Sequence, residues 1–157
     1  MKTKDIMRKR VITAFPEMTL KELADLFIER HITGAPVVDH QGKLLGVVSQ
    51  TDLVRREHEA APQEANYHFE PEDLRIRRGF HVETPDYARV RDVMTPKVIT
   101  FEEDTPIREI AKLMLQKHVH RVVITREGRL CGIVTTMDML KILLDLTARW
   151  EEEVITA

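Results

Sequence analysis

The chain has 157 residues and a formal net charge of −2, with 43% hydrophobic and 32% charged side chains. That length allows one compact domain or two small ones with a real core, and the composition excludes disorder and fibres. A near-neutral balance gives no bulk attraction to nucleic acid or to an anionic bilayer, and no apolar run approaches the ~20 residues of a membrane span.

In MKTKDIMRKR the N-terminal charges are not followed by the apolar stretch of a secretory signal, and Cys131, the single cysteine, excludes an internal disulfide framework. Both observations point to a cytoplasmic protein in a reducing compartment. The first expected element is a short extended piece ending at Ile12-Thr13. Leu20, Leu23, Ala24, Leu26 and Phe27 then recur at helical spacing, and Thr19 stands three residues before Glu22 as in a capping box. His31 closes this helix, where a C-terminal capping role fits better than a metal site. Two β-rich runs follow, separated by DHQG with Gly42 in the turn, and a second helix begins near Asp52.

A linker of residues 57–89 comes next. Pro62, Pro71 and Pro85 and many charges argue against a long regular element. Tyr67, Phe69, Phe80 and Tyr87, four of the chain's eight aromatics, argue that part of it is ordered against the rest of the chain or a partner. His58, His68 and His81 lack the short spacing of zinc ligands, and Arg75–Arg78 reads as a solvated basic run.

From Val90 the first pattern returns. KDIMRKRVIT lies over RDVMTPKVIT, and LKELADLFIERHI over IREIAKLMLQKHV, at an offset of 87. A one-residue deletion then gives an offset of 86, placing PVVDHQGKLLGVVSQTDL over VVITREGRLCGIVTTMDM. Of 52 aligned pairs 15 are identical, which makes chance a poor explanation. The second copy therefore has its own extended piece ending at Ile99-Thr100, and a helix on Ile107, Ile110, Ala111, Leu113 and Met114 with Pro106 as its first residue. His118 closes that helix, the TREG turn carries Gly128, and a last helix begins near Asp138. Ile142, Leu143, Leu146 and Trp150 continue that helix, so Trp150 is expected on the domain or at a dimer contact. Met7, Met94, Met137 and Met139 are expected at the interface between the copies, and Cys131 in the core. The fold class is α/β (α+β): two β-α-β-β-α units, each too small for an independent core, packed together. The divisions are residues 1–56, the linker 57–89, residues 90–146, and a helical extension 147–157.

Chemistry concentrates at GVVSQTDL and GIVTTMDM. Each places a Ser or Thr at a strand-to-helix turn and an Asp three residues on. Backbone N–H groups at a helix start favour an anion, to which a hydroxyl adds a donor, while the aspartate suits the vicinal hydroxyls of a ribose. Ser49 and Thr135 would thus face phosphate, and Asp52 and Asp138 sugar. Ser, Thr and Asp also stabilise helix starts without any ligand, by ~1 kcal/mol, and a duplicated scaffold duplicates its caps.

In the order of these motifs the sequence resembles the cystathionine-β-synthase (CBS) domain, and its two copies resemble the tandem Bateman module. The resemblance implies two repeats related by a pseudo-two-fold axis, with clefts between them, and modules that dimerise into a disc. It implies binding of AMP, ADP, ATP or S-adenosylmethionine as a regulatory ligand, with no obligatory cofactor, and signalling to a separate effector protein. It also implies a first cleft with Ile12 and Thr13, with Ala35, Pro36 and Val37 along the adenine, and with Ser49 and Asp52. The second would use Ile99, Thr100, His120, Arg121, Val122, Thr135 and Asp138. Arg121, in place of a small residue, either crowds the base or clamps a phosphate. The alternative is a scaffold that associates through its surface and leaves the clefts empty. No constellation in the sequence suggests an enzyme, a metal site or a membrane partner, and a nucleic-acid partner is disfavoured.

Overall fold

Two similar units run through residues 1–60 and 87–156, the part of the chain that this computed structural model describes, with side chains described for 1–57 and 87–148. The first unit holds a 3-10 turn (Thr3–Asp5), α1 (Leu20–Glu29), β1 (Gly34–Val38), β2 (Leu44–Ser49) and α2 (Gln50–Ala60). The second holds α3 (Val90–Val93), β3 (Thr100–Glu102), α4 (Ile107–Lys117), β4 (Arg121–Arg126), β5 (Arg129–Thr135) and α5 (Thr136–Thr156). β1 pairs antiparallel with β2, and β4 lies between parallel β3 and antiparallel β5. In the first unit the equivalent of β3 shrinks to one parallel bridge, Ala14 to Val37. Pairing thus begins at Ala14 and Thr100, at or after the end of the extended pieces expected from sequence. Among the described residues no helix is long and apolar enough to cross a membrane.

Local signals bound α1 and α4. Thr19 accepts from the Glu22 amide at 3.1 Å and its own amide donates to the Glu22 carboxylate at 2.7 Å, the reciprocal cap expected from the sequence. Pro106 is not the first helical residue. It is the extended residue before it, with ψ 133, paired through its backbone with Lys2 as Thr19 is with Arg89. Both helices end through a histidine in the left-handed region, His31 at φ 51 and His118 at φ 53. The next amides, of Ile32 and Val119, reach back to the carbonyls of Phe27 and Met114 at 3.0 and 3.1 Å. Backbone geometry, rather than the imidazole contact expected, ends these helices.

The hairpins correct the repeat alignment. Gly34 pairs with Ser49 and Arg121 with Thr135, so Arg121 stands where Gly34 does, Val122 where Ala35 does and Val123 where Pro36 does. The extra residue of the first unit belongs to its turn, not to the approach to β1. There Asp39 accepts from the amides of Gln41 and Lys43, both at 2.9 Å, and Gly42 closes the loop at φ 79. The second turn needs only Glu127 at φ 52 and Gly128 at φ 75, the two positive values of a two-residue hairpin loop. Sequence could not locate the gap because β1 and β4 are each buried on both faces over four consecutive residues. The in-out alternation that fixes register is therefore missing.

Each unit is completed by the segment that opens the other. The Thr3 and Lys4 amides donate to Thr105 and Glu103 carbonyls at 2.9 and 2.8 Å, and Arg8 exchanges two backbone hydrogen bonds with Ile133 at 2.9 and 3.1 Å. Reciprocally, the Val90 and Arg91 amides donate to Met18 and Pro16 carbonyls at 2.9 and 3.1 Å, and Thr95 exchanges two with Val47 at 2.8 and 3.0 Å. Side chains follow the backbone: Val90, Val93 and Met94 enter the core of Ala14, Leu23, Phe27, Ala35, Val37 and Val48. Ile6 and Met7 enter that of Ile110, Met114, Val122, Ile124 and Val134. Gly46 and Gly132 permit the approach, because a Cβ there would meet Thr95 O at 2.7 Å and Met7 Sδ at 2.6 Å. Met7 and Met94 pack into the opposite unit's core as expected, whereas Met139 packs against the core of its own unit and Met137 is exposed. Equivalent residues Lys43 and Arg129 pair with each other, and the Leu44 and Leu130 amides donate reciprocally to Gly128 and Gly42 carbonyls at 3.1 Å. A position paired with its own counterpart marks the pseudo-two-fold axis.

Tyr67, Phe69, Phe80, Arg75–Arg78, His68 and His81 lie outside the described residues, as do the side chains of His58 and Trp150; Tyr87 is exposed. Two outcomes test the packing. Val90→Ala should cost about 1–3 kcal/mol in urea unfolding, since it empties a fully buried site in the first unit's core. His31→Gly should raise stability by about 0.5–1 kcal/mol by relieving a left-handed side-chain conformation; a loss would mean the imidazole holds something.

Candidate functional site

The two Ser/Thr-x-x-Asp turns form caps of one design. Ser49, the last residue of β2, donates from its amide and from Oγ to Asp52 Oδ2, both at 2.7 Å. Thr135, the last of β5, donates from its amide at 2.9 Å and from Oγ1 at 2.6 Å to Asp138 Oδ2. Each hydroxyl proton therefore goes to its own aspartate, and the helix-start reading from sequence holds in the structure.

Beyond the shared cap the sites differ. Arg8 Nε donates to Asp138 Oδ1 at 2.9 Å, so both oxygens of that carboxylate are engaged, and Asp138 is only 6% exposed. Burial pushes the Asp138 carboxyl up, but the hydrogen bonds from Thr135 and from Arg8 outweigh it and hold it below the ordinary value of 3.8. Asp52 is half-buried, and among the described residues only Ser49 bonds to it, through Oδ2. Beside Asp52 opens a cavity of about 190 Å³ lined by Asp52, Arg55, Arg56, Asp92 and Val93. That is less than the ~300–1,000 Å³ of pockets that enclose a drug-sized ligand.

The remaining predicted residues sort by depth. Ile12 and Thr13 are half-buried where the chain crosses toward the Ala14 bridge, while Ile99 and Thr100 are exposed at the start of β3. Ala35 and Val37 lie in one core and Val122 in the other, and all three are buried. Pro36 is fully buried, and its carbonyl accepts from the Ala14 amide at 2.9 Å. The His120 carbonyl accepts from the Thr136 amide at 3.0 Å. Arg121 neither stacks nor stands free: it donates to Thr33 Oγ1 at 2.6 Å and to the Gly34 carbonyl at 3.2 Å, strapping the second unit to the first. Burial pushes the Cys131 thiol up, with Glu103 adding to it, in keeping with a core position. Among the described residues no three His, Cys, Asp or Glu side chains gather as metal ligands.

Sequence reading missed Arg8, Arg55, Arg56 and Asp92. Arg8 had a signal: the repeat places Thr95 opposite it, an unequal pair in a well-aligned segment. Asp92 is identical to Asp5, and both fix a turn by accepting from the backbone at 2.7 Å, Asp92 from Arg89 and Asp5 from Lys2.

The sequence profile of the CBS domain matches the chain twice, over residues 4–59 and 90–145. The chain belongs to the CBS domain family. Its two CBS domains and their mutual packing recur among known proteins. Protein MJ1426 of Methanocaldococcus jannaschii is 32% identical over 152 residues, covering 90% of each chain. Two further relatives are longer, and the chain spans 66% and 39% of them. The CBS domain pair of protein MJ0100, solved in complex with 5'-methylthioadenosine and S-adenosyl-L-methionine, is 25% identical with a TM-score of 0.67, covering 91% of this chain and 95% of that one. CBSX2, solved in complex with AMP, shares the fold at a TM-score of 0.72 and 24% identity, with 93% and 98% covered.

The capped CBS aspartate gives a pH test. A carboxyl held low in the fold contributes stability that is complete above its unfolded value and is lost as pH falls through the lower folded one. Asp138→Asn should therefore cost about 1–3 kcal/mol at pH 7 and progressively less below about pH 4, read from urea unfolding at both pH values.

Proposed function

We propose that this CBS pair is a regulatory module that binds an adenosine-containing ligand at the junction of its two repeats and passes the bound state to a separate protein. One observation carries the reading: Asp52 is pinned through Oδ2 to its helix cap while Oδ1 faces no protein donor among the described residues, beside a cavity flanked by Arg55 and Arg56. Such a carboxylate suits the 2',3'-diol of a ribose, and the two guanidinium groups suit a phosphate. The adenosine ligands of the MJ0100 pair, at 25% identity, support the same class. Ser49 acts here as a cap, not as a nucleophile, and the role is binding rather than catalysis. Ile12 and Thr13 would border the base beside the buried strand of Ala35, Pro36 and Val37, with Ile99, Thr100, His120, Arg121, Val122 and Thr135 around the second aspartate.

Regulation follows if the ligand touches both repeats, because it then favours whichever relative placement closes the junction. A second copy of the chain is the proposed immediate partner. Ile28 and Leu115, like Val54 and Leu140, are exposed apolar residues at matching positions of the two units, apolar area that a second copy would cover. The same exposed residues also support the scaffold alternative, in which association is the whole role.

Calorimetry with AMP, ATP and S-adenosylmethionine separates the readings. The module should release heat with at least one of them and lose it in Asp52→Asn, with affinity falling at least tenfold for a lost charge-assisted pair. Silence with all three, and no thermal shift, would leave the scaffold.

A further inference from the structure

We propose that Arg8 determines which of the two aspartates takes a ligand, occupying Asp138 from within the chain and leaving Asp52 as the open site. The inference rests on the adenosine reading for the ligand and on geometry for the selection. Thr135 satisfies Asp138 Oδ2 through two donors, and Arg8 Nε takes Oδ1 at 2.9 Å. An incoming diol needs two acceptor sites, and with three donors already on this carboxylate it finds at most one, on an aspartate that is 6% exposed and held beside a cation. At the other end of the pseudo-two-fold axis the equivalent backbone ladder is present, Thr95 with Val47 where Arg8 has Ile133. Its side chain is a threonine, uncharged and without the reach of an arginine, so Asp52 Oδ1 is left open among the described residues. The two sites thus share their cap and their incoming segment, and among the residues that differ between them Arg8, opposite Thr95, is the one that bonds an aspartate oxygen. Arg121 adds to the asymmetry from the second unit by tying Thr33 and Gly34.

Exchanging the equivalent residues tests this on the full chain. With AMP and S-adenosylmethionine as probes, calorimetry should give one ligand per chain for the wild type, two for Arg8→Thr, and none for Thr95→Arg. Two per chain in the wild type, or an unchanged stoichiometry of one in Arg8→Thr, would overturn the role of Arg8. A second measurement needs no ligand: the carboxyl carbon of Asp138, followed by NMR, should titrate at higher pH in Arg8→Thr than in the wild type. An unchanged midpoint would overturn the proposal even if neither probe binds, an outcome that by itself counts against the adenosine reading.

Discussion

The structure depends on a reciprocal exchange of backbone hydrogen bonds. The segment that opens each repeat is spent on the other: Arg8 on Ile133, Thr95 on Val47, with turns at Thr3–Asp5 and Val90–Val93 anchoring the two segments. Neither half owns its core, since Val90, Val93 and Met94 fill one and Ile6 and Met7 the other. A unit of about 55 residues would be marginal alone, and here the missing apolar area is borrowed. Gly46 and Gly132 are where the borrowing is tightest, because a side chain there would push the incoming strand away.

That exchange also brings residue 8 to residue 138. A backbone ladder that is symmetric in its hydrogen bonds carries different side chains at its two ends, and so a duplicated scaffold acquires unlike sites. The caps are conserved in form between the halves because they hold helix starts, which both halves need. The residues that face outward from the caps are free to diverge: Arg8 against Thr95, Arg55 and Arg56 against Lys141 and Ile142, Gly34 against Arg121. Divergence at such positions leaves the caps themselves unchanged.

What the sequence made legible is what local physics controls. The capping box at Thr19, the glycine turns, the apolar faces of α1 and α4 and the aspartate caps all depend on residues within a few positions of one another, and the repeat fixed their order. The exchange was not legible, because Val90 sits next to its own unit in sequence and inside the other in space. The register of β4 was not legible either: with four buried residues in a row, a slip of one leaves the pattern unchanged. The Arg8–Asp138 pair spans 130 positions, and no spacing rule reaches that far.

The exchange is tested most directly by native-state hydrogen exchange of the amides at Arg8, Val47, Thr95 and Ile133. If each ladder is integral to the other half's core, all four should exchange only with global unfolding and share one free energy with the amides of β1 and β4. Opening of residues 3–8 or 90–95 at a markedly lower free energy than the sheets they join would contradict the account, showing the halves to be complete without them.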